Sequence, residues 1–162
     1  MPAFYTLPTF YLVNNPIRLG LNLTLTIIAL GLLSIYVNYD ADRQKQVVRA
    51  SNGNCMIWGK KPKLIIANCK LLDESKSTSL LLVSGYWAIS RHFHYIPEIL
   101  LAFFWTVPAL FNSIVPYFYV IFLIILLSHR SIRDDNKCSK KYGTYWSEYK
   151  KQDPYKIVPY IF

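Results

Sequence analysis

The residues in this sequence with the most chemistry to offer are cations and aromatic rings set at helical spacings. Lys45 and Arg49 stand four apart, and Arg130, Arg133 and Asp134 stand at i, i+3 and i+4, so each group shares one helical face. Tyr142, Tyr145, Trp146 and Tyr149 follow at i, i+3, i+4 and i+7, and a helix through them shows four rings on one side. Trp87, Arg91 and Tyr95 lie between the two groups. Guanidinium forks pair with phosphates and aromatic faces stack on bases or nicotinamide rings, so the set suits a flat, anionic ligand such as a nucleotide. Asp134, an acid among cations, either pairs with one of them or accepts from a ribose or carboxamide. Two blander readings stay open: an interfacial aromatic belt with snorkelling cations, and, for Lys45 and Arg49, a patch for anionic headgroups.

Several chemistries lack support. There is no GxGxxG and no GxxxxGK[ST], and six glycines are too few for a diphosphate-cradling loop, which excludes a soluble nucleotide fold. His92 and His94 are two apart, on different faces of any helix, with no cluster of carboxylates and histidines around them, so no metal site is expected. No Ser, His and Asp set stands out for a hydrolase.

The elements that must position the cations and rings are membrane helices. The chain is 53% hydrophobic and 16% aromatic over 162 residues, too apolar for an ordinary soluble domain. Of its 18 Lys and Arg, 15 fall in residues 43–70 and 130–156, each directly after a hydrophobic run. Charge placed there fits cytoplasmic loops, and the formal +9 is not read as a nucleic-acid signal. The expected fold is all-α, a partial polytopic transmembrane helical bundle. Its three spans are residues 21–39, 95–111 and 115–130, with cytoplasmic segments at 40–94 and 130–162. Residues 4–13 are too few to span, and Asn14, Asn15 and Pro16 mark a turn before the first span. Residues 80–92, about half a span, are expected to re-enter the membrane or lie on its surface, and 55–65 to form a short strand or loop. A single long helix kinked at Pro108 or Pro116 competes with the last two spans. Cys55, Cys69 and Cys138 lie in or beside the basic stretches, which points to a reducing compartment, and no cleavable signal peptide is seen.

Three stretches carry a resemblance. HRSIRDDNKCSKKYGTYWSEYKKQDPYKIVPYIF, from His129 to Phe162, resembles the end of the sterol reductases, the group that includes 7-dehydrocholesterol reductase, delta(14)-sterol reductase and the reductase domain of the lamin B receptor. LLVSGYWAISRHFHY is similar to that family's LLVSGxWGxARHxNY, and CMIWGKKPKLI resembles the 7-dehydrocholesterol branch. The resemblance runs from about Tyr11 onward and covers the last part of a family member. It implies NADPH-dependent reduction of a sterol ring double bond, most directly delta(7), by a multi-pass protein of the endoplasmic reticulum membrane. NADPH is then drawn from the cytosol and sterol from the bilayer.

Carried over by position, the resemblance implies that Lys45 and Arg49 hold cofactor phosphates and that Leu82, Trp87, His94 and Tyr95 line the pocket. Arg130, Asp134, Cys138, Ser139, Lys140, Lys141, Tyr142 and Tyr149 complete it. His94 stands where the family has Asn, and Pro97-Glu98 where it has Gly-Asp. The implied partners are a sterol, membrane lipids and, for the family's N-terminal helices, a separate chain; nucleic acid is not among them. No proton donor is assigned. The alternatives are a delta(14) reductase, an inactive or split fragment, and a relative of the isoprenylcysteine carboxyl methyltransferases, which end in a similar KYGxxWxxY.

Overall fold

This computed structural model describes residues 2–70 and 76–161. Residues 71–75 and Phe162, which fall in segments expected to be cytoplasmic, lie outside the described residues, as does the side chain of Cys69. The elements in order are α1 (Pro2–Asn14), α2 (Leu21–Ala50), β1 (Leu64–Lys70), β2 (Lys76–Leu82), α3 (Tyr95–Thr106), α4 (Phe118–Tyr142) and α5 (Thr144–Gln152). Single 3₁₀ turns occupy Gly85–Ala88, Val107–Ala109 and Val115–Tyr117. The chain divides into two compact units, residues 1–38 with 95–128, and residues 39–94 with 129–162. Helices α2 and α4 give their apolar halves to the first unit and their polar ends to the second.

The first unit is built from apolar helices. Helix α2 is 30 residues long and its apolar half is almost wholly exposed, with Leu21, Leu25, Leu32 and Ile35 facing outward. Such a surface belongs in hydrocarbon or against other membrane helices. Residues Val115–Tyr142 form the second stretch long and apolar enough to cross a bilayer. Both agree with expected spans, although each helix continues well past its predicted end into charged residues. The third expected span is shorter: α3 and the turn after it cover Tyr95–Ala109, at about 1.5 Å per residue well under a hydrocarbon core of roughly 30 Å. Pro108 ends α3, Leu110 turns the chain at φ 50°, and the Tyr117 hydroxyl donates to the Leu110 carbonyl at 2.9 Å across the turn. The chain therefore breaks here into two helices and does not run as one kinked rod. Pro97, in the first turn of α3, sits where its missing N–H costs nothing.

The second unit departs from the all-α expectation. Strands β1 and β2 pair antiparallel, in register from Leu64 opposite Leu82 to Lys70 opposite Lys76. Residues 80–92, expected to re-enter the membrane or lie on its surface, form a strand end, the turn Gly85–Ala88 and a further turn through His94. The period-2 alternation of strands sends the hairpin's side chains to two cores. Ile65, Ala67, Leu81 and Val83 pack with Trp146 and Tyr149 of α5, while Leu82 packs with Val48, Ile57 and Trp87. Residues 55–65 begin with a tight turn, where the isolated bridge between Ile57 and Lys60 closes over Trp58 and Gly59, both at positive φ, and lead into β1.

The aromatic spacing predicted one helix through Tyr142 and Tyr149, and the structure breaks it. Gly143, at φ 55°, ends α4 and starts α5 in a new direction. The rings still stack, Tyr142 on Trp146 at 6.1 Å and Trp146 on Tyr149 at 5.0 Å. The stack faces the hairpin, an apolar partner that the sequence did not announce.

Candidate nucleotide site

Within the second unit, Cys138 of α4 acts on the charge of Lys45 of α2, and Lys45, Arg130 and Asp134 all act on His94. On α2, Asp42, Lys45 and Arg49 lie at i, i+3 and i+7; on α4, Arg130, Asp134 and Cys138 lie at i, i+4 and i+8. Arg49 in the last turn of α2 and Lys140 and Lys141 in the last turn of α4 also complement the helix dipoles.

Trp87 is the floor of this site. It is 2% exposed, its Nε1–H donates to the Ala41 carbonyl at 2.9 Å, and the Lys45 ammonium lies 3.9 Å from its ring centroid. That cation–π contact fixes the ammonium over the ring. Burial, and then the charge of Arg49, lowers the Lys45 pKa to about 8, with Asp42 and Cys138 pulling the other way. An ammonium held this way is primed to take an anionic partner. On α4 the Arg130 guanidinium lies 3.7 Å from the Asp134 carboxylate, one helical turn apart. The Cys138 thiol, half-buried and free, is pushed up chiefly by burial and then by Asp134, so it acts as a small neutral lining group.

Of the remaining residues expected at the site, Leu82 and Tyr149 sit behind it. Both are buried, and the Tyr149 hydroxyl donates to the Leu82 carbonyl at 3.1 Å. Burial, then the charge of Asp153, raises the Tyr149 pKa and keeps that hydroxyl a donor. The Tyr142 hydroxyl shares a hydrogen bond with the Ser79 hydroxyl at 3.4 Å. Ser139 and Lys140 are exposed, and Lys140 lies on the side of α4 away from Cys138. Lys141 is also exposed, its ammonium 5.2 Å from the Tyr142 ring centroid. Tyr95 begins α3 directly after His94 and belongs to the first unit.

Arg91, singled out in the sequence, and Asp135 and Asp153, which spacing did not reveal, hold the site together. Arg91, 6% exposed, donates from Nη1 to the carbonyls of Asp153 at 2.7 Å and Pro154 at 3.1 Å. Its Nε lies 3.8 Å from Asp135. Asp135 also accepts from Trp146 Nε1–H at 2.9 Å and lies 3.7 Å from the Lys150 ammonium. Backbone amides of Arg91 and His92 donate to the carbonyls of Tyr155 at 3.1 Å and Lys156 at 2.8 Å. The tail after α5 is thus bonded along the turn that carries His92 and His94. Asp153, 1% exposed, completes the clamp; burial raises its pKa to about 6 against the lowering effect of Arg91 and the Tyr155 amide. The pairing of Asp135 with Trp146 spans 11 residues and a helix break, and the Arg91 bonds span more than 60, so no local period points to them.

The imidazoles of His92 and His94 lie 6.2 Å apart, and His94 is 5.3 Å from the Trp87 ring. They sit on a turn and not on a helix, which is why residues two apart can face one site. Among the described residues, no group of three or more His, Cys, Asp or Glu is placed to hold a metal ion.

The sequence matches the Ergosterol biosynthesis ERG4/ERG24 family over residues 1–162. The chain belongs to that family. Among curated relatives, it is 52% identical to a 7-dehydrocholesterol reductase of Arabidopsis thaliana over all 162 residues, and 39% identical to one of Xenopus laevis. It is 40% identical to the delta(14)-sterol reductase erg24 of Schizosaccharomyces pombe. In each case the match covers all of this chain and 38%, 34% and 36% of the relative. The chain thus spans little more than a third of the length of these relatives. Membership in this sterol reductase family, with two helices fit to cross a bilayer, makes it a membrane protein and sets aside the methyltransferase alternative.

Proposed function

We propose that the chain acts in NADPH-dependent reduction of a sterol ring double bond, most directly the delta(7) bond, in the endoplasmic reticulum membrane. What supports this is the Lys45 ammonium over the buried Trp87 ring, with Lys45, Arg130 and Asp134 all near enough to His94 to act on its charge and Arg49 acting on Lys45, in a member of the ERG4/ERG24 family. The donor set fits NADPH: cations for its phosphates, a carboxylate for a ribose hydroxyl or the carboxamide, and an aromatic floor. When bound, NADPH would supply a hydride to one carbon of the double bond, a proton going to the other. Lys45 and Arg49 bind phosphate, Arg130 pairs with Asp134, and Arg91 holds the tail against the turn that lines the pocket.

The first unit supplies an apolar environment. A cavity of about 590 Å³ there is lined by Ile28, Gly31, Ile35, Leu101, Phe104 and Trp105, without a charged group, which suits a hydrocarbon ring system taken from the bilayer. Activity also draws on the rest of the family's length, in the same polypeptide or in a partner chain. The delta(7) preference is supported by the higher identity to the Arabidopsis relative, named a 7-dehydrocholesterol reductase, than to the yeast one named for delta(14).

Sterol analysis of yeast lacking its own sterol reductases tests the reading, with the chain expressed alone and with the remaining helices of a relative. Loss of the delta(7) bond from the sterol pool, abolished by Lys45→Ala, is the expected result. Reduction of delta(14) alone would reassign the substrate, and no reduction in either arm would overturn the enzyme reading.

A further inference from the structure

His92 and His94 sit among the pocket's cations, yet neither hydride chemistry nor any ion pair described above uses them. Each faces charge from several elements. From α2 come Asp42 and Lys45, from the turn itself Arg91, and from α4 Arg130 and Asp134. The tail meets His92 through the carbonyl of Lys156. His92 Nε2 and His94 Nδ1 are shut off from solvent, and the rings lie 6.2 Å apart. Burial is the first cause that lowers each pKa to about 4; for His92 the neighbouring His94 adds to it and Asp134 opposes, and for His94 Asp42 opposes while Lys45 and Arg130 add to it.

Lys45 lies 3.9 Å and His94 5.3 Å from the same Trp87 ring, so a phosphate held by Lys45 adds negative charge beside the imidazoles, and an opposite charge at close range stabilises the protonated ring. We infer that binding of the cofactor phosphates is coupled to proton uptake by His92 and His94, whose imidazolium forms then join Lys45, Arg49 and Arg130 in holding the anion. No covalent bond changes; a proton moves from solvent onto an imidazole nitrogen. The inference rests on the NADPH reading and deepens it. It also gives His94 a role that the family's asparagine at this position lacks, since an amide donates a hydrogen bond but does not titrate.

Isothermal titration of NADPH into the detergent-solubilised chain at pH 7, in buffers of differing ionisation enthalpy, counts the protons. Lys45, with a pKa of about 8, is mostly charged at that pH and has only about 0.1 proton to gain. The cofactor's 2′-phosphate, with a second pKa near 6, releases about as much. A net uptake of about 0.3 proton or more per NADPH therefore reports the histidines. It should fall by at least half in His94→Asn, with NADPH still bound, and vanish in His92→Asn/His94→Asn. Binding without uptake in the unaltered chain, or uptake unchanged in the double variant, would overturn the inference. Absence of any NADPH binding would instead bring down the cofactor reading and this inference with it.

Discussion

Arg91, counted among the cations suited to a nucleotide, commits its guanidinium to the tail carbonyls and Asp135. Truncating Arg91 to alanine leaves Asp135 with only the more exposed Lys150 as counter-charge and strands two tail carbonyls, a loss of about 2–4 kcal/mol. Arg91→Lys should recover only part of this, because an ammonium cannot bond both carbonyls and the carboxylate in the planar arrangement of a guanidinium. Thermal unfolding in detergent, followed by tryptophan fluorescence, reads both variants. Asp153 gives a pH signature. Its pKa is raised from 3.8 to about 6 in the folded chain, so its contribution is fully present below about pH 4 and is lost as pH rises through 6. Asp153→Asn should flatten that limb of the stability profile; an unchanged profile would show the group to be ionised and solvated. The helical spacings of Lys45, Arg49, Arg130 and Asp134 were legible because each pair lies within two turns of one helix. Asp135, Asp153 and the partners of Arg91 were not, because those pairings are reached only through tertiary folding.

At the scale of elements, hydropathy located α2 and α4 but could not locate the hairpin. LIIANCK is short, and KSTSLLL is half polar with both faces covered near its end, so neither strand shows a clean alternation. The sequence pointed the aromatic stripe toward a ligand alone, and the structure adds the sheet as its packing partner. Tyr149→Phe should therefore cost about 1 kcal/mol of stability through the lost bond to Leu82 and leave NADPH affinity within about twofold. A larger loss of affinity would place the hydroxyl on the cofactor. The turn after β2 is equally demanding. Gly85 has φ 66°, and a Cβ there would overlap the Gln44 amide oxygen and come within 2.9 Å of Ile57. Gly85→Ala should destabilise by about 1–3 kcal/mol, seen as a lower melting temperature.

At the scale of the molecule, the apolar unit and the polar unit divide the labour that the sequence already suggested, hydrocarbon in one and charge in the other. The number of membrane crossings was less legible, because α3 stops at Pro108 well short of a bilayer's thickness while the sequence around it stays apolar. The chain's share of its relatives' length, 38% in the Arabidopsis case, makes cofactor binding a more direct test of this chain than turnover. The decisive measurement is a titration of the purified chain with NADPH, followed by energy transfer from tryptophan to the dihydronicotinamide. Saturable binding, weakened about 10- to 100-fold by Lys45→Ala and by Arg130→Ala, is the predicted result, as expected from loss of one charge-assisted contact of about 1.5–3 kcal/mol. Absence of saturable binding, or an affinity indifferent to both changes, would contradict the assignment of this basic pocket to the cofactor.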